Sequence, residues 1–250
     1  MRLGRREDAT VDRIRDLFKE MAQNEEAWRL VEDLNHSYAM ERFLLRHFDR
    51  VTFEVASGVT KVAIILPKEQ KVIKFSSDEA CHDEATVEYK VYQDAVKENL
   101  AFLFPHTELF HTAVSEKTGE CKFFYIQDMI SFAVCDIPSA MAEKYHHQCR
   151  TVTDEMVKKV RNGFYHDGAY DRQLNKLWAK MVICLYGKRV AMKLEKFTCK
   201  HHINDLHTGN LGFLNNKPVL LDFSGYYPND NDNWEWTSFS KKTIDNSYSK

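Results

Sequence analysis

Residues 201–227 read HHINDLHTGNLGFLNNKPVLLDFSGYY, and the spacing within them decides how the rest of the chain is understood. Two short apolar runs, NLGFL and VLLDF, flank a polar turn at Asn215-Asn216-Lys217-Pro218, the pattern of a β-hairpin. Asp205 and Asn210 stand at its entrance and Asp222 at its exit. A hairpin brings its two ends together, so Asn210 and Asp222 converge although 12 residues separate them. A carboxamide oxygen beside a carboxylate makes a hard-oxygen set suited to a divalent cation such as Mg²⁺, which keeps water and phosphate oxygens as further ligands. Asp205, on a loop, can accept a proton from a hydroxyl, and His207 lies two places after it.

Upstream of the hairpin the pattern is helical. Residues 138–148, 153–165 and 170–186 carry apolar residues at three- and four-residue spacing, Gly187 supplies a cap or break, and 188–197 form a further short helix. Nearer the start, Val11, Ile14, Phe18 and Met21 mark a helix over 10–22, and 25–47 predict a second helix or two shorter ones. From Val51 the period changes. VTFEVASGVTKVAIILPKEQKVIKFS (51–76) alternates and is rich in Val, Ile and Phe, which predicts a three-stranded antiparallel meander with turns near Ala56-Ser57-Gly58 and at Pro67–Gln70. A helix over 79–97 follows, then a strand at 121–131 preceded by a hairpin turn at Thr118-Gly119. The order predicts an α+β fold in two lobes.

Composition bounds the reading. With 250 residues, 44% hydrophobic and 29% charged, the chain has the make-up of a soluble globular protein. A mean hydropathy of −0.50 and scattered charges predict no membrane span. The first residues lack an apolar signal-peptide core. Six dispersed cysteines without C-x-x-C spacing predict reduced thiols and a cytoplasmic location. The cluster Cys199, His201, His202, His207 matches no common zinc spacing, so His201 and His202 read as surface or packing residues. The net charge of −2 gives no case for nucleic acid, but residues 150–200 carry 12 Lys/Arg against 5 Asp/Glu. That local excess is either a solvated helix surface or a face for an anionic partner.

The motifs bear a joint resemblance. Asp205-Leu206-His207-Thr208-Gly209-Asn210 resembles the D-L-x-x-x-N catalytic loop of the protein-kinase-like superfamily, most closely its D-L-H-P-G-N form in aminoglycoside-phosphotransferase-like and related compact kinases of bacterial effectors and phages. Asp222-Phe223-Ser224-Gly225 resembles D-F-G with a serine interposed, and Val72-Ile73-Lys74-Phe75 resembles the strand bearing the nucleotide lysine. Glu88 is the natural partner of Lys74, with Glu84 the alternative one turn earlier. Ser57, Gly58, Val59, Thr60 and Lys61 fall where a phosphate-covering loop belongs, and Gln127, Asp128 and Met129 where a lobe-joining hinge would meet adenine. These motifs keep the family's order over residues 51–225, about 70% of the chain.

The resemblance implies an ATP- and Mg²⁺-dependent kinase. Lys74, held by Glu88, would grip the phosphates; Asn210 and Asp222 would hold Mg²⁺; Asp205 would orient and deprotonate the acceptor hydroxyl; and His207 would either donate to the transferred phosphate or hold the loop. It also implies a division into an N-terminal helical extension (1–48), an N-lobe (49–130), a minimal C-lobe (131–227) and a polar tail (228–250). Three features depart from the family. Asn204 replaces the arginine that receives a phosphorylated activation loop, only 25 residues follow Gly225, and the phosphate loop is glycine-poor. A compact protein Ser/Thr kinase is the leading expectation, because a basic helical region suits a protein or other anionic acceptor better than a polycationic antibiotic. A small-molecule kinase and a non-catalytic docking module on the same frame are the alternatives, with transfer of AMP a lesser one.

Overall fold

The computed structural model describes residues 8–22, 37–57, 61–76, 82–114, 121–160, 169–203 and 206–223. It is a mixed α+β chain with two antiparallel sheets. In chain order the elements are α1 (Asp8–Ala22), α2 (Ser37–Leu44), β1 (Glu54–Ser57), β2 (Lys61–Leu66), β3 (Lys71–Ser76), α3 (His82–Lys97), β4 (Thr107–Val114), β5 (Cys121–Asp128), β6 (Phe132–Ala133), α4 (Ser139–Gln148), α5 (Asp154–Val160), α6 (Ala169–Lys200), β7 (Leu211–Leu214) and β8 (Lys217–Leu220). Two short 3₁₀ turns, Ala101–Leu103 and Val134–Asp136, join them. Contacts divide the chain into two compact units, Met1–Gln93 with Pro105–Met129, and Asp94–Phe104 with Ile130–Lys250.

The first unit is built on the five-stranded sheet β1-β2-β3-β5-β4. Alternation sorts its side chains. Val62, Ile64 and Leu66 of β2, with Ile73 and Phe75 of β3, are buried on one face. Ile14, Leu17 and Phe18 of α1 and Met40, Phe43 and Leu44 of α2 join them in a single core. The ring of Phe18 stacks on Phe124 at 4.5 Å and meets Phe110 edge-on at 6.0 Å. The helices foreseen as an extension before residue 48 therefore share the sheet's core. Strand β4 pairs with β5, and the turn expected at Thr118-Gly119 lies outside the described residues; the sequence of β4, TELFHTAV, is broken by a register shift between Leu109 and His111, which hides the alternation.

The second unit is organised around α6. Gly187 interrupts this helix at φ 83, ψ 163, a conformation that side-chain-bearing residues avoid, and the break foreseen there is present. Helix α6 ends in a Schellman motif: His202 is left-handed (φ 53), its N–H reaches the Cys199 carbonyl, and the Ile203 N–H reaches that of Thr198. The sequence reading of the last hairpin is corrected in one respect. Its turn is the two residues Asn215 and Asn216, both left-handed (φ 51 and 61), while Lys217 and Pro218 already belong to β8. A proline is tolerated there because β8 is the edge of the sheet β6-β7-β8. Residues 23–36, 161–168 and 224–250, onto which parts of the expected helices and the polar tail fall, lie outside the described residues. Among the described residues, no helix is long and apolar enough to cross a membrane, and Cys135, Cys149, Cys184 and Cys199 are free thiols.

Candidate active site

The predicted site residues fall on both units. In the first, Glu88 is the centre. It projects from α3 onto the sheet face opposite the helical core and is fully buried. Lys61 Nζ meets its Oε2 at 2.9 Å, Lys74 Nζ lies 3.5 Å from Oε1, and the Gln127 amide donates to Oε1 at 3.1 Å. The sheet register explains the convergence. Lys74 is opposite Ala63 on β2 and Tyr125 on β5, Val72 is opposite Gln127, and Lys61 lies two residues before Ala63 on the same face. Burial would raise the Glu88 carboxyl pKa; the Lys61 and Lys74 ammoniums, with the Tyr125 hydroxyl, outweigh burial and hold it down at about 2 against an ordinary 4.5. Glu88 is thus an ionised, buried carboxylate facing two ammonium groups.

In the second unit the hairpin places Asn210 and Asp222. The Leu221 N–H donates to the Asn210 carbonyl at 2.7 Å, extending the β7–β8 ladder by one rung, and Asp222 is the next residue. Asp222 is half-buried and left-handed at φ 42. A non-glycine residue held there stores backbone strain, a condition that clusters at functional sites. Phe223, beside it, is fully buried and packs edge-on against Phe104 at 4.9 Å. Both side chains at this point offer hard oxygens, a carboxylate and a carboxamide, so the donor set fits Mg²⁺.

The loop before the hairpin is held from several sides. The Asn175 amide of α6 donates to the Leu206 carbonyl at 3.1 Å, and the Cys135 N–H to the Thr208 carbonyl at 3.2 Å. His207 Nδ1 accepts the Gly209 N–H at 2.9 Å, which leaves the proton of a neutral ring on Nε2. A methyl group at Gly209 would sit 2.8 Å from His207 Cε1, so the glycine is what lets the imidazole lie against the backbone. Trp178 of α6, fully buried, shares its indole N–H between the carbonyls of Gly212 and Val219 at 3.1 and 3.2 Å, bracing both strands of the hairpin.

Several expectations change in detail. Glu88 is the carboxylate that reaches Lys74, and Glu84's side chain lies outside the described residues, as do Gly58, Val59, Thr60 and Asp205. Ser57 ends β1 opposite Val62. Lys61, foreseen as part of a phosphate loop, makes the shorter contact with Glu88. Gln127 is buried, its amide bonded to Glu88 and Thr107, so its side chain belongs to the carboxylate cluster. The N–H groups of Asp128 and Met129 donate to the carbonyls of His106 and Gln70, and Asp128's carboxylate pairs with Lys71 at 2.5 Å. A purine edge would have to find its donor elsewhere on that stretch. His201 is buried against Phe197 at 4.3 Å, whereas His202 is exposed at the helix end. Asn175 and Trp178 escaped the sequence reading, because the carbonyls they bond lie more than 30 residues away in the chain. A scan against protein-family models and a search of curated proteins both find no match for the chain.

Proposed function

We propose that this chain is an ATP- and Mg²⁺-dependent phosphotransferase of protein-kinase-like, two-lobed architecture, acting on a hydroxyl of a protein substrate. The observation that carries the reading is the buried Glu88 carboxylate between Lys61 and Lys74, in the same chain as a hairpin that sets Asn210 beside a strained Asp222. Polyphosphate binding requires cations oriented in advance, and Glu88 orients Lys74. Asn210 and Asp222 would hold Mg²⁺, which when bound neutralises phosphate charge. Asp205 would orient the acceptor hydroxyl and take its proton, and His207, whose Nδ1 accepts the Gly209 N–H, would either donate to the transferred phosphate or hold the loop. In this reading the work of the protein is positioning and charge neutralisation.

A second reading, a docking module that keeps the frame without turnover, is favoured by one observation: the N–H groups of Asp128 and Met129 are already engaged, which removes two donors for adenine. The test is labelling with Mg²⁺ and γ-³²P-ATP, alone and with cell lysate, for the wild type, Asp205→Ala and Asp222→Ala. Label on the chain itself or on a discrete lysate protein, lost by a factor of at least about 10³ in both variants, is expected. Mutant-sensitive ATP consumption without protein label moves the acceptor to a small molecule. No turnover in the wild type overturns the enzyme reading in favour of docking.

A further inference from the structure

The second unit brings two thiols together from different helices. Cys149 caps the end of α4; it is buried, and its thiol donates to Met181 Sδ of α6 at 3.1 Å. Cys184 lies three residues after Met181, on the same face of α6, and its thiol donates at 3.5 Å to the carbonyl of Gln148, the residue before Cys149. The two thiols also hydrogen-bond each other. Burial, with the Cys184 thiol beside it, pushes the Cys149 thiol up to about 12, against the pull of the Lys180 ammonium. Cys149 is therefore a protonated thiol at neutral pH and a slow first target. Cys184 is only half-buried, so an oxidant from solvent reaches it first. Cys135, by contrast, donates to the Asp136 carboxylate next to it in the chain.

We propose that Cys149 and Cys184 form an oxidation site, the target of a hydroperoxide, and close into a disulfide that ties the end of α4 to α6. The Cys184 thiolate attacks one oxygen of hydrogen peroxide. An S–O bond forms, the O–O bond breaks, and the hydroxide released takes up the thiol proton as water. The Cys149 sulfur then attacks the sulfenic sulfur of Cys184. The S–S bond forms, the S–O bond breaks, and the hydroxyl leaves with the Cys149 proton as a second water. Two thiols are oxidised and one peroxide is reduced. The second step runs within a contact already made, which offsets the small thiolate fraction of Cys149. The bridge closes residues 149–184 into a loop and so restricts the unfolded chain. It fastens the helix whose Asn175 and Trp178 hold the hairpin and the loop before it. The site stands without the nucleotide reading.

The experiment treats the full folded chain with hydrogen peroxide, blocks the remaining thiols with N-ethylmaleimide, and maps unreduced peptides by mass spectrometry, for the wild type, Cys149→Ser and Cys184→Ser. The wild type is expected to yield a linked peptide pair carrying Cys149 and Cys184, lighter than the free pair by two hydrogens. The chain should stay single on a non-reducing denaturing gel, melt about 3–5 °C higher than the reduced protein, and lose both the link and the shift to dithiothreitol. Cys149→Ser should hold a sulfenic acid on Cys184 that dimedone traps, and Cys184→Ser should leave Cys149 a thiol. Both cysteines still alkylated after prolonged peroxide overturn the assignment. So does a bridge from either one to a different cysteine, or oxidation that stops at Met181 sulfoxide. A Cys149–Cys184 link that lowers the melting temperature shows that it forms only in an opened chain, and overturns the assignment too. The wild-type map decides by itself, so a serine variant that fails to fold does not spare the proposal.

Discussion

At the scale of the residue, Glu88 is the most consequential side chain among those described. It has no exposure, and its charge is retained only because cations meet it. Its folded pKa of about 2 lies below the ordinary 4.5. The stability it contributes is therefore complete above about pH 4.5 and is lost as pH falls toward 2, up to about 3 kcal/mol in all. Acid unfolding of the wild type followed by circular dichroism should steepen across that window. Glu88→Gln should be less stable at pH 7 but show a flatter dependence between pH 4.5 and 2. Parallel curves for the two proteins would mean that the carboxylate does not hold its charge. In the second unit, Gly209 and His207 show a local dependence of their own: one absent Cβ permits one imidazole position.

At the scale of the element, α1 is part of the sheet's core. Phe18 is fully buried between Phe110 and Phe124, so Phe18→Ala should cost about 3–5 kcal/mol, read as a lower denaturation midpoint with an unchanged denaturant slope. A loss below about 1 kcal/mol would show that α1 is an appendage. The sequence announced α1 through the spacing of Val11, Ile14 and Phe18, and β2 and β3 through strict alternation, because one face of each is buried. It announced the hairpin through paired asparagines. It was silent on β6, which is two residues long, and on β4, whose bulge breaks the period. Glu88's link to Lys74 was legible from order along the chain. Lys61's contact with Glu88 was not, because which face of β2 it occupies matters only once the α3 carboxylate is known to sit over that face. Asn175's bond to a loop 31 residues away has no local signature at all.

At the scale of the whole molecule, charge is unevenly distributed. Residues 150–200 carry an excess of +7 in a chain of net −2. Some of it is spent internally: Lys176 and Lys180 both pair with Asp154 at 3.2 and 2.6 Å, and Lys200 pairs with Glu98 at 2.8 Å. Lys158, Lys159, Lys188, Arg189 and Lys196 remain exposed. If this surface meets the acceptor, labelling of the acceptor band should fall severalfold between about 50 and 300 mM NaCl, as the screening length shrinks, and Lys188→Glu/Arg189→Glu should slow labelling without lowering the unfolding temperature. A rate indifferent to both changes removes the basic surface from recognition.

Trp178 has a use beyond bracing. It is the one tryptophan within the described residues, enclosed in hydrocarbon, with its indole N–H divided between the two strands that end at Asn210 and Asp222. Indole emission responds to the polarity and hydrogen bonding around that nitrogen. With Trp28, Trp234 and Trp236 replaced by phenylalanine, the hairpin would carry its own optical label, placed where a ligand drawing its two ends closer would alter the colour and lifetime of the emitted light.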